Sequence, residues 1–198
     1  MSIQPSCIET LVVATGNPGK VKELQDYLQP LHLHLVLKPQ NIDIEETGST
    51  FMENARLKAS QVAAAVGEWA IADDSGLMVD ALEGAPGIYS ARYGDTSEDC
   101  INRVLAELGE TDQRQAQFVC AVAIARPDGS IALEAEGICR GEILRQRRGE
   151  GGFGYDPIFY VPGEGMTFAE MPLETKQAIG HRGQALQALL PALQTLVL

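Results

Sequence analysis

Apolar and polar positions follow two different periods along this chain, and each change of period marks an element. The run LVVA, Leu11–Ala14, is continuously apolar and reads as a buried strand. Behind it, PGKVKELQDYLQP puts Val21, Leu24, Tyr27 and Leu28 on one helical face, with Pro18 at the start and Pro30 as the stop. LHLHLVL, Leu31–Leu37, alternates as a strand does, so a parallel strand–helix–strand unit is expected. In TFMENARLKASQVAAAVG the residues Met52, Ala55, Ala59, Val62, Ala63 and Val66 form an apolar helix face. Thr50 and Glu53 have the spacing of a capping box, and Asn54 and Lys58, four apart, share a neighbouring face.

AIADDSGLMVD reads as a short buried strand interrupted by two acids and a turn. SEDCINRVLAELG predicts a helix capped by Ser97 and closed at Gly109. FVCAVAIARPDGSIALEAEGICR predicts two strands joined by the turn RPDGS, with GEILRQ as a further strand and RRGEGGFGYDPIFYVP as a glycine-rich loop. The last helix runs from about Arg182 to Leu190 and meets Pro191, where a kink or a new turn is expected. This order of elements predicts an α/β fold with an antiparallel portion in the second half.

Composition narrows the class. With 198 residues, 45% hydrophobic and 21% charged, the chain suits one domain over residues 1–198 with a substantial core. No apolar run approaches the roughly 20 residues of a membrane span, so no membrane partner is expected. MSIQPSCIET lacks the charged and apolar segments of a signal peptide, which points to a cytoplasmic protein. Cys7, Cys100, Cys120 and Cys139 are far apart and form no CxxC pair, so neither a zinc site nor a disulfide framework is expected. The net charge of −12 argues against nucleic-acid binding, which needs a basic face, but leaves room for a small anion escorted by a divalent cation.

Four clusters carry candidate chemistry. The loop Thr15-Gly16-Asn17-Pro18-Gly19-Lys20 joins a strand to a helix, where backbone amides, a helix N-terminus and a lysine can meet an anion. Its spacing is not that of a Walker A loop. Asp73-Asp74, followed by Ser75, places two carboxylates at a strand end, costly unless paired, solvated or bound to a hard cation such as Mg²⁺. Glu45-Glu46 stands beside it as a second acidic pair. Gly152-Phe153-Gly154-Tyr155-Asp156-Pro157 combines close backbone approach with a ring that can stack on a flat ligand. Lys176 and the His181-Arg182 pair at a helix start crowd donors where the helix dipole disfavours them. Taken together, the clusters describe a nucleoside triphosphate site.

The stretches ATGNPGKVKEL, EETGSTFMENARLKA, ADDSGLMVDALEGAPGIYSARY, GGFGYDPIFYVP and KQAIGHRGQAL run in one order from Val12 to the final helix. In them the chain resembles the inosine/xanthosine triphosphate pyrophosphatase family. That resemblance implies an elongated α/β fold with a mixed, twisted sheet flanked by helices and two lobes enclosing a nucleotide cleft. It also implies a homodimer and the Mg²⁺-dependent hydrolysis of ITP, dITP and XTP to monophosphate and pyrophosphate. By position, Thr15 to Lys20 and Lys58 would hold the triphosphate, and Glu46 and Asp74 the metal, with Asp74 also the proton acceptor. Ser75, Phe153, Gly154, Tyr155, Asp156, Lys176, His181 and Arg182 would bind the substrate. The family usually carries serine before the His-Arg pair; here that residue is Gly180. Neighbouring residues of an extended chain point oppositely, so only one of Asp73 and Asp74 is expected to face the nucleotide. The residues alone leave that choice open, and the resemblance points to Asp74.

Overall fold

A computed structural model describes residues 8–197; Cys7 and the start of MSIQPSCIET lie outside the described residues. The described residues form a mixed, open seven-stranded sheet in the order β2-β1-β3-β4-β5-β6-β7, flanked by helices. Two compact units emerge. One holds the chain up to Asp74, Ala121–Glu136 and the chain from Ala185 on, and the other holds Ser75–Cys120 and Gly137–Gln184.

In the first unit, β1 (Thr10–Val13) leads into α1 (Pro18–Leu28) and returns as β2 (His34–Leu37). β1 and β2 are parallel, with Thr10 opposite His34 and Val13 opposite Leu37, as the alternation predicted. The second strand is shorter than expected. Gln29–Leu31 closes as a 3₁₀ turn, and His32 is left-handed at φ 53°, so the alternation of LHLHLVL begins inside a turn. Thr50 and Glu53 form the predicted capping box on α2 (Phe51–Val66), which ends on left-handed Gly67. Ala55, Ala59, Val62 and Ala63 are buried along it, while Met52 and Val66 are only partly covered. β3 then lies parallel to β1 on the side away from β2, with Val13 opposite Ile71.

β3 is one unbroken strand, Ala70–Val79. The expected interruption at Asp73-Asp74 is absent because both acids find cationic partners and stay within the strand. In the second unit, α3 (Ser97–Leu108) is capped by Thr96 rather than Ser97. Thr96 and Asp99 complete a capping box, and Ser97 is already the first helical residue. β4 (Gln115–Ala125) and β5 (Ile131–Ile143) are joined by the predicted turn. GEILRQ adds no strand of its own; its first residues extend β5 as far as Ile143.

Sequence reading missed the short antiparallel pair β6 (Phe159–Val161) and β7 (Met166–Thr167) and the helix α4 (Leu173–Ile179). α5 (His181–Val197) carries Pro191 inside it and continues past it, so the proline does not end the helix. The core of the second unit gathers Leu77, Val104, Phe118, Phe159 and Phe168. Among the described residues no helix is long and apolar enough to cross a membrane.

Candidate active site

The first unit places its chemistry in the loop after β1 and on β3 just past the residues that pair with β1. From β1 the chain leaves toward β2 on one side, and it comes back through α2 to β3 on the other. Such a reversal in an open parallel region leaves a crevice at the strand ends, where ligands bind. TGNPGK follows β1 there. Asn17 caps α1, its Oδ1 accepting the N–H groups of Gly19 (2.9 Å) and Lys20 (3.3 Å). The N–H of Asn17 donates in turn to Thr15 Oγ1 at 3.2 Å. Pro18 occupies the first helical position, where a missing N–H costs nothing. Gly16 has open space where a side chain would stand, so the backbone there is open to close approach.

Asp73 and Asp74 point to different cations, as alternation along a strand requires. Lys20 Nζ lies 3.0 Å from Asp73 Oδ2, whose carboxylate is fully buried. Lys58 Nζ donates to Asp74 Oδ1 at 2.9 Å and to Glu46 Oε1 at 2.7 Å. One ammonium on α2 therefore gathers two carboxylates that lie far apart in sequence. Asn54, one turn earlier on the same helix and completely buried, donates from Nδ2 to Asp74 Oδ2 at 3.1 Å.

Burial pushes the Asp74 carboxyl above the ordinary aspartate range; the charges of Lys58 and Lys20 pull it back without cancelling the effect, and Glu46 repels in the same upward sense. A carboxylate raised toward neutrality is a stronger proton acceptor. Burial lowers Lys58, but Asp74, Glu46 and Asp73 together outweigh it and hold the ammonium charged. Among the described residues no cluster of three or more metal-ligating side chains occurs. Glu46 and Asp74 instead form a two-carboxylate oxygen set. That fits Mg²⁺, which commonly takes one or two carboxylates and completes its shell with phosphate oxygens and water.

The second unit gathers the other predicted residues. Asp156, 3% exposed, accepts the Phe153 N–H (2.8 Å) and Lys176 Nζ (2.7 Å) on the same Oδ2. Gly152 is left-handed at φ +74°, and a Cβ built there would overlap that carboxylate. Lys176 Nζ stands 5.1 Å and Arg182 Cζ 6.0 Å from the centroid of Phe153, so two cations stand over one half-exposed ring. Gly154, also left-handed at φ +58°, turns the chain behind it. Arg182 is 2% exposed and donates through Nη2 to Ser75 Oγ at 3.0 Å. His181 is stacked on Phe118 at 4.7 Å and lies parallel to Phe168 at 6.0 Å. Both residues of this pair are therefore enclosed, although they start a helix.

Tyr155 departs from the expected role of its side chain. The ring belongs to the core, burial raises its hydroxyl pKa, and that hydroxyl donates to the Ser90 carbonyl at 2.8 Å. Gly180 has extended backbone, φ −70° and ψ 154°, and its carbonyl accepts the Gln184 N–H at 2.9 Å, so it caps α5. Its own N–H reaches the Lys176 carbonyl at 2.8 Å, and a Cβ there would overlap that oxygen. Glycine thus allows a tight corner between α4 and α5. Sequence reading missed Asn54 as a partner of Asp74 and Phe118 and Phe168 as supports of His181; the one available signal was the spacing of Asn54 and Lys58, four apart on one helix face.

Comparison with known proteins gives the family. The sequence profile of the Ham1 family matches residues 11–192. A protein of a Nostoc species named dITP/XTP pyrophosphatase is 62% identical over 187 residues, 94% of this chain and 95% of the relative. A Synechocystis protein of the same name is 62% identical across 91% of this chain and 93% of its own length. The solved Ham1 protein of Staphylococcus aureus has a TM-score of 0.84 at 42% identity, covering 94% of this chain and 98% of that one. A HAM1 protein from Coxiella burnetii gives 0.85 at 42% identity, with the same 94% and 98% coverage. A family profile over nearly the whole chain, near-full-length relatives and matching solved folds lead to one conclusion: this chain belongs to the Ham1 family.

Proposed function

We infer that this chain is a nucleoside triphosphate pyrophosphatase that hydrolyses non-standard purine nucleotides, ITP, dITP and XTP, to the monophosphate and pyrophosphate. The observation that carries the reading is its near-full-length identity to relatives named dITP/XTP pyrophosphatase. The partly buried Glu46–Lys58–Asp74 cluster supports it chemically.

Phosphoanhydride hydrolysis needs charge neutralisation and an aligned nucleophile more than covalent help. In this reading Thr15 to Lys20 cradle the triphosphate, and Lys58 exchanges part of its hold on the carboxylates for phosphate oxygens. Glu46 and Asp74 hold Mg²⁺, which when bound neutralises phosphate charge and polarises the phosphoryl oxygens. Asp74 orients a water and takes its proton as the water oxygen bonds to the α-phosphorus and the α–β bridging bond breaks. Lys20 and Lys58 offset the charge left on pyrophosphate.

At the base end, Phe153 offers its face to the purine, Asp156 fixes Lys176 and the Phe153 backbone, and Ser75 steadies Arg182. Hypoxanthine and xanthine present a carbonyl at C6 where adenine presents an amino group. Donors from His181, Arg182 or nearby backbone pair with the carbonyl and are stranded by adenine. Each stranded buried group costs ~1–3 kcal/mol, so two discriminate against ATP by ~2–6 kcal/mol. The chain acts as one domain, as a cytoplasmic homodimer without a nucleic-acid partner.

The test is hydrolysis of ITP in ¹⁸O-labelled water with Mg²⁺. Label in IMP and none in the released pyrophosphate is the expected outcome, reduced at least ~10²-fold in rate by Asp74→Asn, the scale on which a positioned general base acts. Label in orthophosphate would refute attack at the α-phosphorus, and near-normal turnover by Asp74→Asn would remove Asp74 from the role of base.

A further inference from the structure

The Asn54 carboxamide touches two groups that the reaction depends on, and the chemistry of its neighbours fixes which way round it sits. Its Oδ1 receives the backbone N–H of Gly48 at 2.8 Å. A backbone N–H can only donate, so the oxygen end of the amide must face Gly48. The Nδ2 end then faces Asp74, where it donates to Oδ2 at 3.1 Å. Oδ2 of Asp74 is thereby committed as an acceptor, and Oδ1, the oxygen beside Lys58 at 2.9 Å, is the one left to serve the reaction. The other contact reaches the loop that carries Glu46. Gly48 stands so close to Asn54 that a Cβ on it would lie 2.6 Å from Oδ1 and 2.7 Å from Glu53 Cβ, so only glycine allows the approach. Asn54 is itself held by the first turn of α2, its N–H bonding the Thr50 carbonyl at 3.1 Å, and its side chain is wholly buried.

We propose that Asn54 is a positioning residue for the hydrolysis: one buried amide holds Oδ2 of Asp74, leaves Oδ1 to Lys58 and the reaction, and ties that carboxylate to the loop that delivers Glu46. This rests on the pyrophosphatase reading above. A packing role alone would need only volume at this position. The observed bonds need a donor on one end and an acceptor on the other, which among residues of this size asparagine alone supplies.

Two substitutions separate the two ends. Asn54→Asp keeps an acceptor for Gly48 but replaces the amide donor with a second carboxyl against Asp74; Asn54→Leu keeps volume and loses both bonds. Partners that orient a catalytic or metal-binding group typically account for 10–100-fold in activity, so both variants are expected to lose about 10–100-fold in kcat on ITP, with KM changed less than about threefold. Amide hydrogen exchange of the metal-free protein supplies a readout independent of turnover. The Gly48 amide is expected to be protected in the wild type and in Asn54→Asp, and at least about tenfold faster in Asn54→Leu. Fast exchange at Gly48 in the wild type overturns the proposal, a result that depends on no variant folding. Wild-type kcat in both variants, with only a lowered melting temperature, also overturns it and leaves the pyrophosphatase reading intact. A wild-type chain that releases no pyrophosphate from ITP or XTP overturns both.

Discussion

Gly152→Ala isolates the geometry of the proposed base end. Two effects add at this position. The residue is left-handed at φ +74°, where a side chain costs about 1–2 kcal/mol. The new Cβ would also overlap the Asp156 carboxylate, which cannot then keep both its bond from the Phe153 N–H and its bond from Lys176. Each hydrogen bond to a charged group contributes about 1.5–3 kcal/mol, so losing one brings the total to about 2.5–5 kcal/mol. That is a large part of the roughly 5–15 kcal/mol by which a domain is stable. Two neighbouring glycines calibrate the number. Gly154 is left-handed at φ +58° with nothing near its missing Cβ, so Gly154→Ala is expected to cost only the backbone share, about 1–2 kcal/mol. Gly163 has open space and no left-handed backbone, so Gly163→Ala is expected within about 0.5 kcal/mol of the wild type. Urea unfolding of the three variants gives the series directly. Steady-state kinetics of Gly152→Ala on ITP are expected to show KM raised and kcat largely kept, because the phosphate end is untouched. A Gly152→Ala no less stable than Gly154→Ala would refute the clash on which this reasoning rests.

Lys58→Met removes the ammonium shared by Glu46 and Asp74 and is expected to lower kcat/KM on ITP at least ~100-fold, as loss of an electrostatic stabiliser does. The same variant tests the electrostatics through stability. Burial already holds the folded-state pKa of Asp74 above its ordinary value, and losing Lys58 raises it further. A raised pKa means that the folded protein binds the proton more tightly than the unfolded chain, so stability is present at low pH and lost as pH rises through the folded value. Urea unfolding in EDTA should therefore find Lys58→Met less destabilised at pH 5 than at pH 8; the opposite order would contradict the assignment. Cys100, Cys120 and Cys139 are buried, and burial pushes the Cys139 thiol up to about 11, leaving about one part in a thousand as thiolate at pH 8. A Cys7→Ser variant is expected to give no reaction with a thiol-specific disulfide reagent at that pH until urea is added, and a fast native reaction would place a thiol in solvent.

Local signals in the sequence carried well into the structure, and signals completed by distant residues did not. The box of Thr50 and Glu53 spans one helical turn, so sequence spacing nearly determines it, and it formed as expected. Thr96 and Ser97 are both good caps; only the bonds between Thr96 and Asp99 decide between them. The Asp73-Asp74-Ser75-Gly76 stretch has the composition of a turn, yet it stays in strand because Lys20, Lys58 and Asn54 arrive from two helices to satisfy the acids. No window along the chain contains those partners. α4 was overlooked for a different reason: it has seven residues between Pro172 and Gly180, too short for a helical period to declare itself. The resemblance implies a substrate contact for Tyr155, but GFGYDP holds two aromatic rings and the motif does not say which of them faces outward. Which of two neighbouring rings turns inward depends on the turn held by Asp156, and that turn sends Tyr155 to the core and leaves Phe153 half exposed. The candidate residues were thus legible as a set, while their pairing was not.

Initial rates of pyrophosphate release from ITP, XTP, dITP, GTP and ATP, each with Mg²⁺ and with EDTA, decide whether this chain is a metal-dependent pyrophosphatase selective for deaminated purines. Mg²⁺-dependent release is expected from the first three, with kcat/KM for ITP exceeding that for ATP by at least ~30-fold, the ratio that ~2 kcal/mol of lost pairing supplies. Equal rates on ATP and ITP, or rates unchanged by EDTA, would contradict it.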